Sequence, residues 1–283
     1  MDRQRWLAER RQTAEERHDT IHAFTYDEHY GEIGEVHRRF VADLLERCPP
    51  GGTVLDAACG TGKYFAMVLD AGRRVVGTDQ STGMLARARA RFPAVPLERV
   101  GLQELDFEAE FDAVMCIDAM ENIPPEDWPA VAANLRRALR PGGHLYLTVE
   151  EVDDQELDAV FAEATAQGLP VVRGEESREG YHYYPSRDQV AAWLEEAGLQ
   201  VVAQEYSPGD GYGYLHPAGG VGDVRVPDYA GIPALGELQG RRCQFGSGGL
   251  LTSPGRLTSS GGGGGLAPSL LFFFASLLIF SLA

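Results

Sequence analysis

The chain has 283 residues, 44% of them apolar, with 42 acidic against 25 basic side chains and a formal charge of −17 at neutral pH. Residues 217–283 hold four arginines against three acids, so about −18 falls on the first 216 residues, and so acidic a surface argues against DNA or RNA partners, whose binding runs on phosphate neutralisation. Four cysteines (Cys48, Cys59, Cys116, Cys243) show neither C-x-x-C nor a metal-ligand spacing, and the charged N-terminus lacks the apolar stretch of a secretory signal, so reduced thiols in the cytoplasm are expected.

In chain order, residues 2–20 are strongly charged and read as a helix within an N-terminal helical cap over 1–32. Ile33, Val36, Phe40, Val41, Leu44 and Leu45 recur at helical spacing, and Pro49-Pro50-Gly51-Gly52 ends the helix they predict. Apolar runs then alternate with helical patterns: strand 53–57, helix 62–70, strand 74–79, helix 82–91, strand 95–100, strand 111–117, helix 126–139 and strand 143–149. Short apolar strands alternating with helices predict a doubly wound α/β sheet, mainly parallel, with helices on both faces. The stretch 151–185 breaks the rhythm with a helical piece over 154–167 and the cluster Tyr181-His182-Tyr183-Tyr184. Ser186 and Gln189 have capping-box spacing, so a helix opens there and Gly198 closes it. Residues 199–206 read as a sixth strand and 211–216 as the start of a seventh.

From Pro217 the pattern stops. Five glycines (261–265) precede an apolar end (270–283) shorter than the ~20 residues a bilayer span needs, so no membrane partner is expected. The abrupt loss of pattern resembles a frame-shifted gene end. Residues 217–283 are therefore expected to form a disordered tail, with the seventh strand incomplete.

The chemistry lies in Thr53-Val-Leu-Asp-Ala-Ala-Cys-Gly-Thr-Gly-Lys-Tyr64. An apolar strand ends in Asp56, and a small-residue loop with Gly60 and Gly62 leads into a helix. A side chain at such a corner would hold a ligand off the backbone or clash at positive φ. A second apolar run ends at Asp79, where an acid can accept hydrogen bonds from both hydroxyls of a ribose. A nucleoside-bearing cofactor is expected. Dinucleotide loops require G-x-G-x-x-G, but Phe65 holds the third position. The sequence instead reads D-x-A-x-G-x-G from Asp56 through Ala58 and Gly60 to Gly62. That resembles motif I of the class I S-adenosylmethionine-dependent methyltransferases, with Ala58 in place of the usual first glycine. Residues 111–118 resemble the family's fourth strand, and 134–148 its helix, Pro-Gly-Gly turn and fifth strand.

The resemblance spans roughly residues 33–216. It implies a seven-stranded sheet, S-adenosylmethionine as cofactor, and in-line methyl transfer to a small-molecule acceptor. By the same resemblance Asp56 orients the loop and the methionine amino group, while Ala58, Gly60 and Gly62 admit the cofactor. Asp79 takes the ribose hydroxyls, and Gln80 and Met84 line the nucleoside. Gln103 contacts the adenine, Gly101 standing where the family usually keeps an acid. Cys116, ending the fourth strand, faces the methionine moiety. Tyr26 and Tyr30 fall where aromatics close over the sulfonium, a contact worth ~1–2 kcal/mol when desolvated, or else pack as ordinary helix residues. The stretch 151–185 either covers the acceptor pocket as a lid, the favoured reading, or packs its tyrosines against the sheet edge. For a catalytic group touching the acceptor, Glu121 and Asp118 stand ahead of His22, His29 and His182. Glu121 with Asn122 would otherwise cap a helix. Asp153-Asp154 and Asp118/Glu121 lack a diagnostic spacing, so no metal is expected. Two rival readings are a nicotinamide-dependent Rossmann oxidoreductase, opposed by Phe65 and the Pro-Gly-Gly turn, and an inactive module that binds the cofactor and forms no product. Neither the acceptor's identity nor the oligomeric state is legible.

Overall fold

The computed structural model describes residues 2–178, 180–208 and 213–221. An N-terminal segment of α1 (Arg3–Arg17), a π turn (His18–His22) and α2 (Ala23–Tyr30) precedes α3 (Glu35–Arg47). The sheet then builds through β1 (Thr53–Ala57), α4 (Phe65–Asp70), β2 (Arg74–Asp79), α5 (Thr82–Arg91), β3 (Leu97–Arg99), β4 (Phe111–Cys116), α6 (Trp128–Ala138) and β5 (Leu139–Leu147). After β6 (Val149–Glu151) come α7 (Asp154–Ala166), the small hairpin β7 (Glu175–Glu176) and β8 (His182–Tyr183), α8 (Arg187–Glu196), β9 (Gln200–Pro208) and β10 (Gly213–Gly220).

The strand order is β3-β2-β1-β4-β5-β10-β6, with β9 on the other side of β10. Neighbours from β3 to β5 run parallel, and β10 is antiparallel to β5, β6 and β9. Since β5 and β6 are one run interrupted at Thr148, the sheet has the seven-strand plan expected. Alternate residues of each strand feed opposite faces. Val114 and Cys116 of β4 join Trp128, Leu135, Val190 and Leu194 on one side, while Ala113 and Met115 join Phe40, Val41, Phe65 and Leu85 on the other.

Two details differ from the sequence reading. The seventh strand does not fail after His216: β10 continues to Gly220, so residues 217–220 are strand, paired with β5 through Ala218↔Tyr146 and Gly220↔His144. Pro, Ala and Gly are poor strand formers, which hides this end from any propensity argument. The neighbours impose it. A Cβ on Gly219 would lie 2.8 Å from the Gln200 carbonyl oxygen, so the strands approach where no side chain fits. Pro217 falls in the interval between the β6 and β5 pairings, where a missing N–H is tolerated. Secondly, β5 starts at Leu139, and the Pro141-Gly142-Gly143 turn sits inside it as a bulge, Gly142 taking φ +76°. The rest of the expected tail, 222–283, lies outside the described residues. Among the described residues no helix is long and apolar enough to cross a membrane.

The N-terminal segment crosses the ends of several strands. Trp6, 2% exposed, packs edge-on against Tyr181 at 5.8 Å. Arg3 holds the fully buried Glu175 carboxylate through two hydrogen bonds of 2.9 Å, and the same carboxylate accepts from Tyr181 Oη at 2.6 Å. Arg11 pairs with Glu104 beyond β3. Asp19 accepts from Ser81 Oγ and the Gly83 N–H at the start of α5. Asp27 accepts from Thr61 Oγ1 at 2.6 Å and pairs with Arg91.

Candidate active site

The corner between β1 and α4 is shaped by three consecutive alternate residues in left-handed backbone: Ala58 at φ +64°, Gly60 at +53° and Gly62 at +76°. Ala58 adopts a conformation that glycine takes without strain, so the departure from motif I is accommodated rather than avoided. A Cβ added at Gly60 would meet nothing within 4 Å, whereas one at Gly62 would run into the Phe65 ring at 2.6 Å. Phe65 also explains the absent third glycine. Its ring lies where a Cβ on Gly77 would sit, at 2.6 Å, so the close helix–strand approach is made by a glycine on β2 instead.

Asp79 ties this loop to β2. Its Oδ2 accepts from the Gly60 N–H at 2.9 Å and its Oδ1 from the Ser81 N–H at 2.8 Å. Burial nevertheless raises its pKa above the usual carboxylate range. Asp56, 2% exposed, has an Oδ2 with no hydrogen-bond partner; burial, then the charges of Asp79 and Asp118, push it up to about 8. Three acids therefore converge on one corner.

Tyr26 lies among them, since burial followed by Asp118, Glu121 and Asp79 raises its phenol. Tyr30 is 53% exposed and reaches the site only by its ring, 5.3 Å from that of Tyr26. Met84 is buried at the start of α5, its N–H donating to Ser81 Oγ. Gln80 holds Arg99 through its carbonyl at 2.9 Å. The Gln103 carboxamide is turned to Asp127 at 3.4 Å, and the Arg11–Glu104 pair borders Gly101. Cys116 is fully buried; burial, then Glu121, Asp56 and Asp118, hold its thiol protonated.

Beyond β4 the chain bends through Asp118, another non-glycine in left-handed backbone (φ +53°), whose N–H donates to Thr148 Oγ1 at 2.8 Å. Burial works to raise Asp118, but His37 Nε2 at 3.3 Å and Lys63 Nζ at 3.8 Å outweigh it and hold the carboxyl below its usual value. Glu121, 6% exposed, sits in a 3₁₀ turn (Met120–Asn122). Its Oε1 accepts from Asn122 at 3.1 Å and its Oε2 has no partner. Burial, and next Glu150, raise Glu121 far above the carboxylate range. Glu150 in β6 is itself pushed up to about 7 by burial and then Asp118. Its Oε1 is 3.5 Å from Tyr214 Oη and its Oε2 3.7 Å from His182 Nδ1. His182 also shares a 3.0 Å contact with Tyr184 Oη.

The structure thus gathers Asp56, Gly60, Gly62, Asp79, Tyr26, Cys116, Asp118 and Glu121. Of the three candidate histidines, His182 joins the carboxylates, whereas His22 faces His18 at 5.1 Å and His29 is exposed. Sequence reasoning missed His37, Lys63, Glu150, His216 and the buried Tyr64, whose phenol is raised by burial and then by Asp118. Lys63 and Tyr64 directly follow the glycine motif and were within reach of it. His37 falls on the apolar face of α3, three and four residues before Phe40 and Val41, and its ring packs at 4.8 Å from that of His216, so a polar residue in that stripe was the signal available.

Residues 54–143 match a family described as a methyltransferase domain. The demethylmenaquinone methyltransferase of Beutenbergia cavernae is 32% identical over 197 residues, covering 65% of this chain and 76% of that protein. A dTDP-4-amino-2,3,4,6-tetradeoxy-D-glucose N,N-dimethyltransferase of Saccharopolyspora spinosa is 26% identical, covering 68% and 86%. Among solved structures, a 1,6-didemethyltoxoflavin-N1-methyltransferase of Burkholderia thailandensis, with bound S-adenosylhomocysteine, superposes with a TM-score of 0.57 at 20% identity, covering 79% and 92%. Magnesium protoporphyrin IX methyltransferase of Synechocystis, with bound SAH, also gives 0.57 at 18% identity, covering 75% and 99%. At such identities the structural likeness is one of fold.

Proposed function

The chain belongs to the class I S-adenosylmethionine-dependent methyltransferases, and on that premise we propose that the corner at the ends of β1 and β2 holds the cofactor while the carboxylates after β4 face a small-molecule acceptor. When bound, S-adenosylmethionine supplies a methyl group made electrophilic by its sulfonium. The residues present fit it. An α-ammonium calls for a buried carboxylate oxygen free of other partners, which Asp56 Oδ2 offers. A ribose diol calls for an acceptor beside open backbone, and Asp79 stands next to Gly60, where a Cβ would meet open space. Asp79 keeps lone pairs beyond the two that its backbone N–H donors use.

In this reading Ala58 and Gly62 shape the loop, Gln80 and Met84 border the nucleoside, and Cys116 borders the methionine end. Gln103 reaches the adenine only by leaving Asp127. Tyr26 covers the sulfonium side and Tyr30 acts through Tyr26. Asp118 and Glu121 address the acceptor, and the segment around Tyr181–Tyr184 joins the N-terminal cap in excluding water. Orientation and dryness are the main contributions, since a held pair of reactants gains ~7–11 kcal/mol over free encounter. Buried free thiols at Cys48, Cys59 and Cys116 fit a cytoplasmic enzyme.

The observation that carries this reading is the unpartnered, buried Asp56 oxygen beside the further acids Asp79 and Asp118. The test is calorimetric titration of the full chain with S-adenosylmethionine. Stoichiometric binding is expected, with Asp56→Asn losing roughly 30-fold, about 2 kcal/mol for a deleted charge-assisted bond. Because Asp56 must ionise from about 8 to meet a cation, wild-type affinity rises from pH 6 to pH 8, and the variant flattens that rise. No binding by a cooperatively melting protein sinks the assignment.

A further inference from the structure

We propose that the acceptor is a basic amine, taken up as its ammonium by Glu121 and Glu150 acting as one proton-sharing carboxylate pair. This names the acceptor class for the site described above and rests on the methyltransferase reading.

Glu121 is more than nine-tenths buried, at 6% exposure, and the Glu150 side chain is 11% exposed. The turn that carries Glu121 is packed by β6, which carries Glu150, and by β8, which carries His182. Glu121 Oε2 has no partner, Glu121 Oε1 has only the neighbouring Asn122 amide, and the contacts to Glu150 are at or beyond the limit of a hydrogen bond. A buried carboxylate is normally paired, because leaving a desolvated charge without a partner is strongly unfavourable.

The charges facing the pair do not supply a partner. From α3 and the glycine loop come His37 and Lys63, and both face Asp118, at 3.3 and 3.8 Å, which takes their charge. From β8 comes His182, whose protonation burial opposes. From β10 comes His216, fully buried between Tyr146 Oη and Ser207 Oγ and held neutral, with a pKa near 3. The remaining neighbours are acids or phenols (Asp56 on β1, Asp118 after β4, Glu176 on β7, Tyr26 on α2, Tyr184 and Tyr214), except Arg17 and His18 of the N-terminal segment, which act on His182 and on neither carboxyl. Two adjacent buried carboxyls hold one proton between them, leaving one negative charge with no counter-ion. A cationic acceptor provides it. A carboxylate or phosphate acceptor would add a second negative charge to a buried site and is turned away.

The pair also solves the problem an amine poses, since an ammonium has no lone pair. Its proton passes to the pair, which goes from one proton to two. The freed lone pair forms the carbon–nitrogen bond as the methyl carbon–sulfur bond breaks, its electrons remaining on sulfur. The product leaves as a methylated ammonium, and the pair returns its extra proton to water.

The test uses the full chain saturated with S-adenosylhomocysteine and reads the melting temperature with matched probes: ethylamine, phenethylamine, 4-ethylphenol and phenylacetate at equal concentrations. The amines are expected to raise the melting temperature, phenylacetate to leave it unchanged, and 4-ethylphenol to do much less. In Glu150→Gln and Glu121→Gln the amine midpoint concentration should rise at least tenfold, while the shift from S-adenosylhomocysteine alone persists. Amines without effect, a phenol or carboxylate matching them, or an amine shift surviving in both variants overturns the proposal. Should either variant fail to fold, the probe comparison on the wild-type chain decides alone. If S-adenosylhomocysteine itself raises nothing, the methyltransferase reading fails first; if it does and the amines do not, only this inference falls.

Discussion

Gly60 and Gly62 occupy one loop with the same left-handed backbone, yet a methyl group on each meets different surroundings. Gly60→Ala should cost only the backbone strain of ~1–2 kcal/mol, which Ala58 already bears nearby, and should weaken S-adenosylmethionine binding more than tenfold because its Cβ projects into open space. Gly62→Ala drives into the Phe65 ring and should cost roughly 2–4 kcal/mol of stability through overpacking added to strain. Thermal melts with and without cofactor separate the two. Equal melting losses with equal binding losses would contradict this division of labour. Both glycines were legible as a motif; their different duties were not, since these depend on a ring three residues on and a strand beneath it.

Among the elements, the N-terminal segment has the least to hold it. Apart from Trp6, Leu7, Ala23, the site-facing Tyr26 and the Arg3–Glu175 pair, its ties are partly exposed polar contacts through Arg11, Glu15, Asp19 and Asp27, each worth ~1 kcal/mol or less. Elements with few buried apolar contacts open before the core does. Asp19→Ala removes the acceptor of Ser81 Oγ and the Gly83 N–H. It should speed backbone hydrogen exchange in residues 3–30 several-fold while β1, β4 and β5 stay protected, and S-adenosylmethionine should slow it again. Exchange rising evenly across the sheet would mean that the segment does not open separately.

At the scale of the molecule, the acidic site sets the pH response. Asp56 (about 8), Glu150 (about 7), Glu121 and Asp79 have folded-state pKa values raised by burial. The folded chain thus keeps protons that the unfolded chain loses above ~pH 4, so this stability is complete below that pH and is lost as pH rises through 7 and 8. His216, His182, His144 and His22 are lowered and act oppositely: their share is present above ~pH 6.5 and lost as pH falls. The ligand-free protein should therefore be most stable near pH 6 and lose ~1–2 kcal/mol per unit towards pH 9. Calorimetric melting across pH 5–9 checks this, and Glu121→Gln should flatten the alkaline limb. A melting temperature that climbs to pH 9 contradicts it.

By itself the sequence determined what depends on near neighbours: the alternation of strands and helices, the Asp56–Gly62 corner, Asp79 at its strand end, the capping box at Ser186, and with these the family and its cofactor. Each is a periodicity or a short spacing, written within one or two turns of chain. The tertiary structure alone decided the rest. It carried β10 through Pro217 to Gly220, because strands on both sides override the weak propensity of those residues. It brought Glu150, His37, Lys63 and His182 around Asp118 and Glu121, because they come from elements that meet only when the sheet closes. Burial then turned that meeting into chemistry, since the charge a carboxyl carries depends on the water and the ions that the fold leaves beside it.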